Sequence, residues 1–553
     1  MTRSLALVLS TILFAACGTE KPLPAVSDNR PNILLIVADD LGYSDLGVYG
    51  SEIETPIIDS LASSGTVLTN FYAAPTCSPS RAMLLTGIDS HRVGLGTMME
   101  RRTDVHVGRP GYEGQLRTDV LTIAERLRTT GYRTYMAGKW HLGHTAETNP
   151  AARGFDRSFA LLDGGAFHMN SRPQANPVLS GIDVARYTED GRPVALPDNY
   201  YSTQHFTDRL LTYIGDLSGR RKPFFAYLAF TAPHFPLQAP AESIARQAGR
   251  YDAGYEAIDT ARLERMRALG VLSSSFSRPM LSASMPWRDL STDAQAREAR
   301  RMEVYAAMIA DVDRHIGRVI DHLRARGELD NTYIFVLSDN GPEGRNVSQA
   351  IPSIGEWPER CCDNTIDNLG AANSFIWLGE NWGRVSAAPF RGQKGNTTDG
   401  GLRVPAIVSH SGSDFAHRYS DAFVTIRDIL PTILDIATVG IDTSAERVGP
   451  IPTGASLLPY LTGSSATVHD TDYTAAWELS GRRAVKRGSW KLVWDWDSFG
   501  LRDWALYDTA RDPGERDDVR EQQPEIFREL QSAWAAYVRE QGVYVAPSPI
   551  EVQ

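Results

Sequence analysis

Asn32-Ile33-Leu34-Leu35-Ile36-Val37-Ala38-Asp39-Asp40 is a nearly continuous apolar run that ends in two adjacent carboxylates. An apolar run of this length fits a strand buried on both faces. Two carboxylates straight after it repel each other and pay for desolvation, so they need a cation or hydrogen-bond donors. The same pattern recurs three times. Tyr132 to Ala137 leads into Gly138-Lys139-Trp140-His141-Leu142-Gly143. Phe224 to Phe230 leads into Thr231-Ala232-Pro233-His234, and Tyr333 to Leu337 leads into Ser338-Asp339-Asn340-Gly341. In open α/β sheets, ligands bind outside the carboxyl ends of the strands. That rule gathers Asp39, Asp40, Lys139, His141, His234, Asp339 and Asn340 at one site of an α/β sheet.

Helices fill the intervals. Tyr305, Met308, Ile309, Val312, Ile316, Val319, Ile320 and Leu323 recur at helical spacing within a helix predicted from about Asp293 to Arg326, with Gly327 at its C-terminal end. Leu121 to Leu127 reads as a shorter helix. Tyr251 to Trp287 is irregular and reads as an insertion over the rim of the site. Near the C-terminus the texture changes. Arg483 to Lys486, Trp490 to Trp494 and Trp504 to Asp508 are short strand candidates, and Pro524 to Gln541 is a helix with Phe527, Leu530, Trp534 and Tyr537 on one side. The expected division is a catalytic domain over 31–465 and a C-terminal subdomain over 466–553, with a small antiparallel sheet and a helix.

A chain of 553 residues can bury a large core. Its net charge of −11, with no basic run, disfavours a nucleic-acid partner. Residues 1–17 read as a leader: Arg3, a short apolar run from Leu5 to Phe14, then Ala15-Ala16-Cys17. The run is too short to span a bilayer. Phe14-Ala15-Ala16-Cys17 resembles a bacterial lipobox, with Phe14 where Leu is usual. The expectation is an exported protein of the periplasm or outer membrane, lipid-anchored through Cys17, with residues 18–30 as a tether. Four cysteines are too few for a disulfide scaffold. Cys361 and Cys362 are adjacent, and read as two thiols or one strained bridge with no catalytic role.

Cys77-Ser78-Pro79-Ser80-Arg81 opens as a loop, and the apolar run Ala82 to Leu85 then starts a helix. Cys77 therefore sits near a helix N-terminus, where backbone N–H groups and the dipole favour anions. Arg81 lies one turn on, facing the same spot. Asp39, Asp40, Asp339 and Asn340 offer only oxygen donors, which suit a hard cation such as Ca²⁺ or Mg²⁺. Lys139 and Lys394, the latter in the glycine-rich Arg391-Gly392-Gln393-Lys394-Gly395, are candidate anion binders. His141 and His234 suit acid or base work near neutral pH. His168 reads equally as a wall of a leaving-group pocket and as a structural histidine.

Cys77 to Gly87 resembles the signature of the type I sulfatases, Cys-x-Pro-Ser-Arg followed by Leu-Thr-Gly. Asn32 to Gly42, Gly138 to Gly143, Thr231 to His234, Ser338 to Gly341 and Lys394 to Pro405 look like the family's other blocks, in the family's order. The likeness is strongest to bacterial arylsulfatases. One departure is Asp399 before Gly400-Gly401, where Glu or Gln is expected. The resemblance implies an alkaline-phosphatase-like α/β sandwich, with a large mixed central sheet between helices, and hydrolysis of sulfate monoesters, whether aryl, alkyl or sugar. It implies that a formylglycine-generating enzyme converts Cys77 to formylglycine, whose hydrate is the nucleophile. It implies one Ca²⁺ or Mg²⁺ held by Asp39, Asp40, Asp339, Asn340 and residue 77. Catalytic roles then fall to Arg81, Lys139, His141, His234 and Lys394. Two other readings compete. One is a formylglycine-dependent phosphonate or phosphate ester hydrolase. The other is a surface lipoprotein that binds sulfated glycans without turnover, its Cys77 never oxidised.

Overall fold

The computed structural model describes residues 28–545, except 171–183, 217–221, 274–275, 277–283, 346–355, 414, 417, 441–448 and 496–502. The expected leader, the lipid site at Cys17 and most of the tether lie outside the described residues.

Ten strands form one mixed sheet. Their order is Tyr419–Ser420, Gly65–Leu68, Ala406–Ser409, Thr332–Ser338, Asn32–Ala38, Phe224–Ala229, Arg133–Lys139, Arg157–Leu161, Tyr187–Glu189 and Arg192–Pro193. The four strands picked out in the sequence are immediate neighbours here and run parallel. Their register puts their ends level: Ala38 pairs with Ser338, Val37 with Ala229, and Gly138 with the same Ala229. The polar groups that follow each strand therefore emerge along one edge of the sheet.

Alternation along Asn32–Ala38 shows why the run is apolar throughout. Leu34, Ile36 and Ala38 join the core on one face, with Met302, Tyr305, Ile309 and Ile316 of the long helix Thr292–Ala325. Ile33, Leu35 and Val37 join the core on the other face, with Leu84 and Leu85 of the helix Cys77–Thr86 and Ile433 of the helix Ile429–Ile436. A strand between two helical layers has no polar face to offer.

The long helix lies within a residue of its sequence-based bounds, and Gly327 takes the left-handed conformation just beyond it. The shorter helix is displaced to Ile123–Thr129. Thr122 and Glu125 form a capping box that fixes its start. The strand expected to stop at Ala137 runs on through Lys139. Gly138 permits this: its φ is +128°, and a Cβ there would lie 1.8 Å from the Ala229 carbonyl oxygen.

The segment expected to cover the rim departs from that reading. It forms the helix Tyr255–Leu269, whose Arg262 side chain is wholly buried against Asp45 and Glu52, at 2.6 and 2.8 Å. A buried guanidinium must bond carboxylates, and these belong to the body of the domain. The described part is a structural layer.

The C-terminal sheet has four antiparallel strands, Thr474–Leu479, Arg482–Arg487, Trp490–Trp494 and Ala505–Asp508. The first of them was not expected. One face, with Val485, Leu492 and Leu506, packs on Leu530 and Trp534 of the helix Pro524–Gln541. The opposite face, with Trp477, Ala484, Val493 and Tyr507, joins the core of the large sheet.

Candidate active site

The helix Cys77–Thr86 begins at Cys77 itself, and all ten of its residues are buried. Thr76, before it, makes no side-chain cap, so the first backbone N–H groups are not served by one. The Cys77 thiol lies 3.4 Å from Asp39 Oδ1, and burial pushes its pKa up in spite of Lys139 and Lys394. A neutral thiol is a poor nucleophile.

Around it three carboxylates and three cations interlock. Lys139 Nζ donates to Asp39 Oδ2 at 2.6 Å. Lys394 Nζ donates to both oxygens of Asp40, at 2.6 and 2.9 Å. Arg81 Nε donates to Asp339 Oδ2 at 2.9 Å, and its Nη1 to the Lys139 carbonyl at 3.0 Å. Asn340 Nδ2 donates to Asp40 Oδ1 at 2.6 Å. Burial opposes ionisation of Asp39, but Lys139 foremost, with His234 and Arg81, holds its carboxyl far below the usual range. Asp40 moves the other way, to about 7, because burial and the charges of Asp39 and Asp339 outweigh Lys394. Its backbone is also strained, with φ +66°.

His234 follows its strand through Pro233. Its Nδ1 lies 2.6 Å from the Phe235 carbonyl, which can only accept, so Nδ1 carries the hydrogen. Nε2 is left to face Asp40 Oδ2 at 3.7 Å. Burial and then Lys394 hold this imidazole well below the ordinary histidine pKa. His168 is resolved as structural. It is fully buried, its Nε2 lies 2.8 Å from the His234 carbonyl, and its Nδ1 lies 2.7 Å from Ser202 Oγ. Burial lowers its pKa to about 4, so it is a neutral prop under His234.

His141 stands two residues past Lys139, at the edge of this cluster. Its Nε2 is 3.2 Å from both carboxylate oxygens of Glu100, a residue the sequence reading did not single out. Glu100 lies in the single turn Met99–Arg101, between elements with clear periodicity, and no motif marks it. Contacts thus bring Asp39, Asp40, Cys77, Arg81, Lys139, His234, Asp339, Asn340 and Lys394 together, with His141 alongside.

Three polar atoms of this group are buried and make no hydrogen bond among the described residues: Arg81 Nη2, which lies 3.8 Å from Asp39 Oδ1, Asn340 Oδ1 and His141 Nδ1. Buried polar atoms are usually served by protein groups, ordered water or a bound ion. The Asn340 oxygen, beside three buried carboxylates, fits a hard divalent cation. Atoms of Asp39, Asp40, Cys77 and His234 also lie within 4.8 Å of one another, so His234 stands among the carboxylates.

The sequence profile described as Sulfatase matches residues 31–439. The chain belongs to the sulfatase family. It is a sulfuric ester hydrolase. Among its relatives, an uncharacterized sulfatase of Schizosaccharomyces pombe is 42% identical over 533 residues, covering 94% of this chain and 95% of the relative. An arylsulfatase of Klebsiella aerogenes is 36% identical, covering 77% and 91%. The crystal structure of Ps i-CgsB in complex with k-i-k-neocarrahexaose superposes with a TM-score of 0.65 at 24% identity, over 92% of each chain. That likeness carries the fold.

Asp399, the departure from the family pattern, is a latch in this sulfatase. Lys491 Nζ, from the C-terminal sheet, bridges Asp399 Oδ1 at 2.5 Å and Glu515 Oε1 at 2.7 Å. Tyr72 Oη donates to Asp399 Oδ2 at 2.8 Å. Asn396 and the Thr397 N–H bond Asp495, and Arg391 bonds the Glu515 carbonyl. The loop carrying Lys394 is therefore fastened from the C-terminal side. Lys491→Ala is expected to lower stability by about 3 kcal/mol, since it takes away the cation shared by two buried carboxylates and leaves Asp399 the more distant Arg403, at 3.7 Å. Denaturant unfolding checks this; an unchanged midpoint contradicts the latch.

Proposed function

We propose that the chain hydrolyses sulfate monoesters with formylglycine at position 77 and one Ca²⁺ or Mg²⁺. The reaction consumes the ester and water, and yields an alcohol or phenol, inorganic sulfate and a proton. What carries this reading is the set of buried polar atoms without a hydrogen bond on Arg81 and Asn340, in the cluster around residue 77, and on His141, two residues past Lys139. As a hydrate, formylglycine supplies one hydroxyl to attack sulfur and a second whose proton loss expels sulfate. Asp39, Asp40, Asp339 and Asn340 would hold the cation, which would supply positive charge and turn a balanced site into one attracting an anion.

The chain's own residues do the rest. Arg81 and the helix N-terminus stabilise negative charge at residue 77. Asp339 takes the proton of the attacking hydroxyl. Lys139 and Lys394 hold the sulfate oxygens. His234 protonates the leaving oxygen; an anionic ester beside its Nε2 favours the protonated imidazole. His141 accepts the proton of the second hydroxyl. The natural alcohol is an aryl, alkyl or sugar group. Among phosphonate and phosphate esters as rival substrates, no specific contact favours them. Paired rates on nitrophenyl sulfate and a nitrophenyl phosphonate test this: faster phosphonate cleavage overturns sulfate monoesters as the preferred substrate. Export and a lipid on Cys17 remain part of the proposal, tested by palmitate labelling and its loss in Cys17→Ala.

Metal analysis of purified protein should give one equivalent of calcium or magnesium, lost in Asp39→Ala. Stoichiometric zinc, or full metal content in that variant, rules out the oxygen-ligand site.

A further inference from the structure

We infer that Glu100 is a positioning residue that locks the His141 imidazole with its hydrogen on Nε2 and its lone pair on Nδ1, ready to accept a proton. The inference rests on the proposed role of His141 as base. Both Glu100 oxygens lie 3.2 Å from His141 Nε2, and an ionised carboxylate can only accept, so Nε2 must donate. A neutral imidazole has one donor and one acceptor, so Nδ1 is then the acceptor. That atom is buried and has no partner among the described residues.

The surroundings hold the ring in place. His141 has a left-handed backbone, φ +58°. Its ring lies over Gly164, where a Cβ would come within 2.7 Å of ring atoms. Glu100 itself stays ionised: burial opposes this, but His141 outweighs it and its pKa falls to about 2. The other charged and titratable groups nearby are Arg101, which acts on Glu100, and His144, which pairs with Asp163 at 3.4 Å, Asp163 being also paired with Arg186. The turn bearing Glu100 is tied to the nucleophile loop, because Thr76 Oγ1 donates to Met98 Sδ at 3.2 Å. The carboxylate also favours the imidazolium formed once Nδ1 has taken the proton. Glu100 touches neither the ester nor residue 77 in this reading; it acts through His141.

The test has two arms. In the first, the tautomer of His141 is read by ¹⁵N NMR in protein left with an unmodified Cys77, the signals being assigned from their loss in His141→Asn. Wild type should show the Nε2–H form. Glu100→Gln should keep it, since an amide oxygen still accepts, and Glu100→Ala should give a mixture or the other tautomer. A wild-type Nδ1–H form, or no change in Glu100→Ala, overturns the inference. In the second arm, matured enzyme is assayed on nitrophenyl sulfate. Glu100→Ala should lose about 10²-fold in kcat, the size expected of a misplaced catalytic group. Its kcat/KM should hold, and one equivalent of phenol should appear in a burst, because only release of sulfate is slowed. Glu100→Gln should recover most of the rate. Equal losses in kcat and kcat/KM with no burst, at an unchanged melting temperature, also overturn it. Wild type without activity on any sulfate ester would defeat the proposed function, and the NMR arm would still decide whether Glu100 holds the ring.

Discussion

Cys77→Ser should release about one equivalent of phenol from an aryl sulfate and then stop. Serine offers a hydroxyl where the thiol now lies, 3.4 Å from Asp39 and at the first turn of the buried helix. Arg81, Lys139 and Lys394 are unchanged, so the first transfer has its electrostatic support. The sulfated serine then has no second hydroxyl on the same carbon, and nothing for His141 to deprotonate. Steady-state kcat should fall by about 10⁶-fold, as when a nucleophile is lost elsewhere. The check is a burst assay with the mass of the residue-77 peptide, which should gain sulfate. In wild type the same peptide should carry the aldehyde. Steady turnover by the serine variant, or a fully active wild type with only cysteine, would sink the mechanism.

His234→Ala should show a loss that depends on the leaving group. The imidazole has one free nitrogen: Nδ1 is committed to the Phe235 carbonyl, the ring stacks on Phe235 at 4.5 Å, and His168 props the backbone. A group so held can deliver a proton only through Nε2. Alkyl and sugar alcohols leave poorly and need that proton in the transition state, whereas nitrophenolate hardly does. The expected loss is about 10²–10⁴-fold on alkyl or sugar sulfates, and much less on nitrophenyl sulfate. The slope of rate against leaving-group pKa should steepen. Removing a metal contact or unsettling the fold would depress all substrates alike, so metal content and a melting curve accompany the series. A uniform loss in a well-folded, metal-replete variant removes His234 from the acid role.

The central architecture could be read from the chain because its determinants are local. Asn32 to Asp40 and its three counterparts each state where a buried strand stops, and parallel register does the rest. The long helix is equally local, its apolar stripe written in its own residues. What the sequence did not disclose depends on partners distant in the chain. Thr474–Leu479 is the exception, since its partner Arg482–Arg487 follows directly across Ser480-Gly481. Tyr255–Leu269 reads as irregular because Arg262 is buried by pairing with Glu52 and Asp45, some two hundred residues away. Glu100 is one acidic residue in a short turn until folding sets it against His141. His168 offered two readings, and only its neighbours decided between them. The adjacent Cys361 and Cys362 likewise left two states open, and they are bonded here.

The Lys491 bridge changes what counts as the smallest working enzyme. Residue 439, where the family profile ends, is not a place to cut. Asp399, Asn396 and Arg391 all find their counterparts after residue 490, and Lys394 sits among them. A shortened protein would keep every residue proposed for chemistry, yet the arm presenting one of them would have lost its mooring. The same holds for chimeras. A transplanted C-terminal segment must bring Lys491, Asp495 and Glu515 as a set, matched to an aspartate at 399. A relative with a longer acid at that position would need its own fitted counterpart.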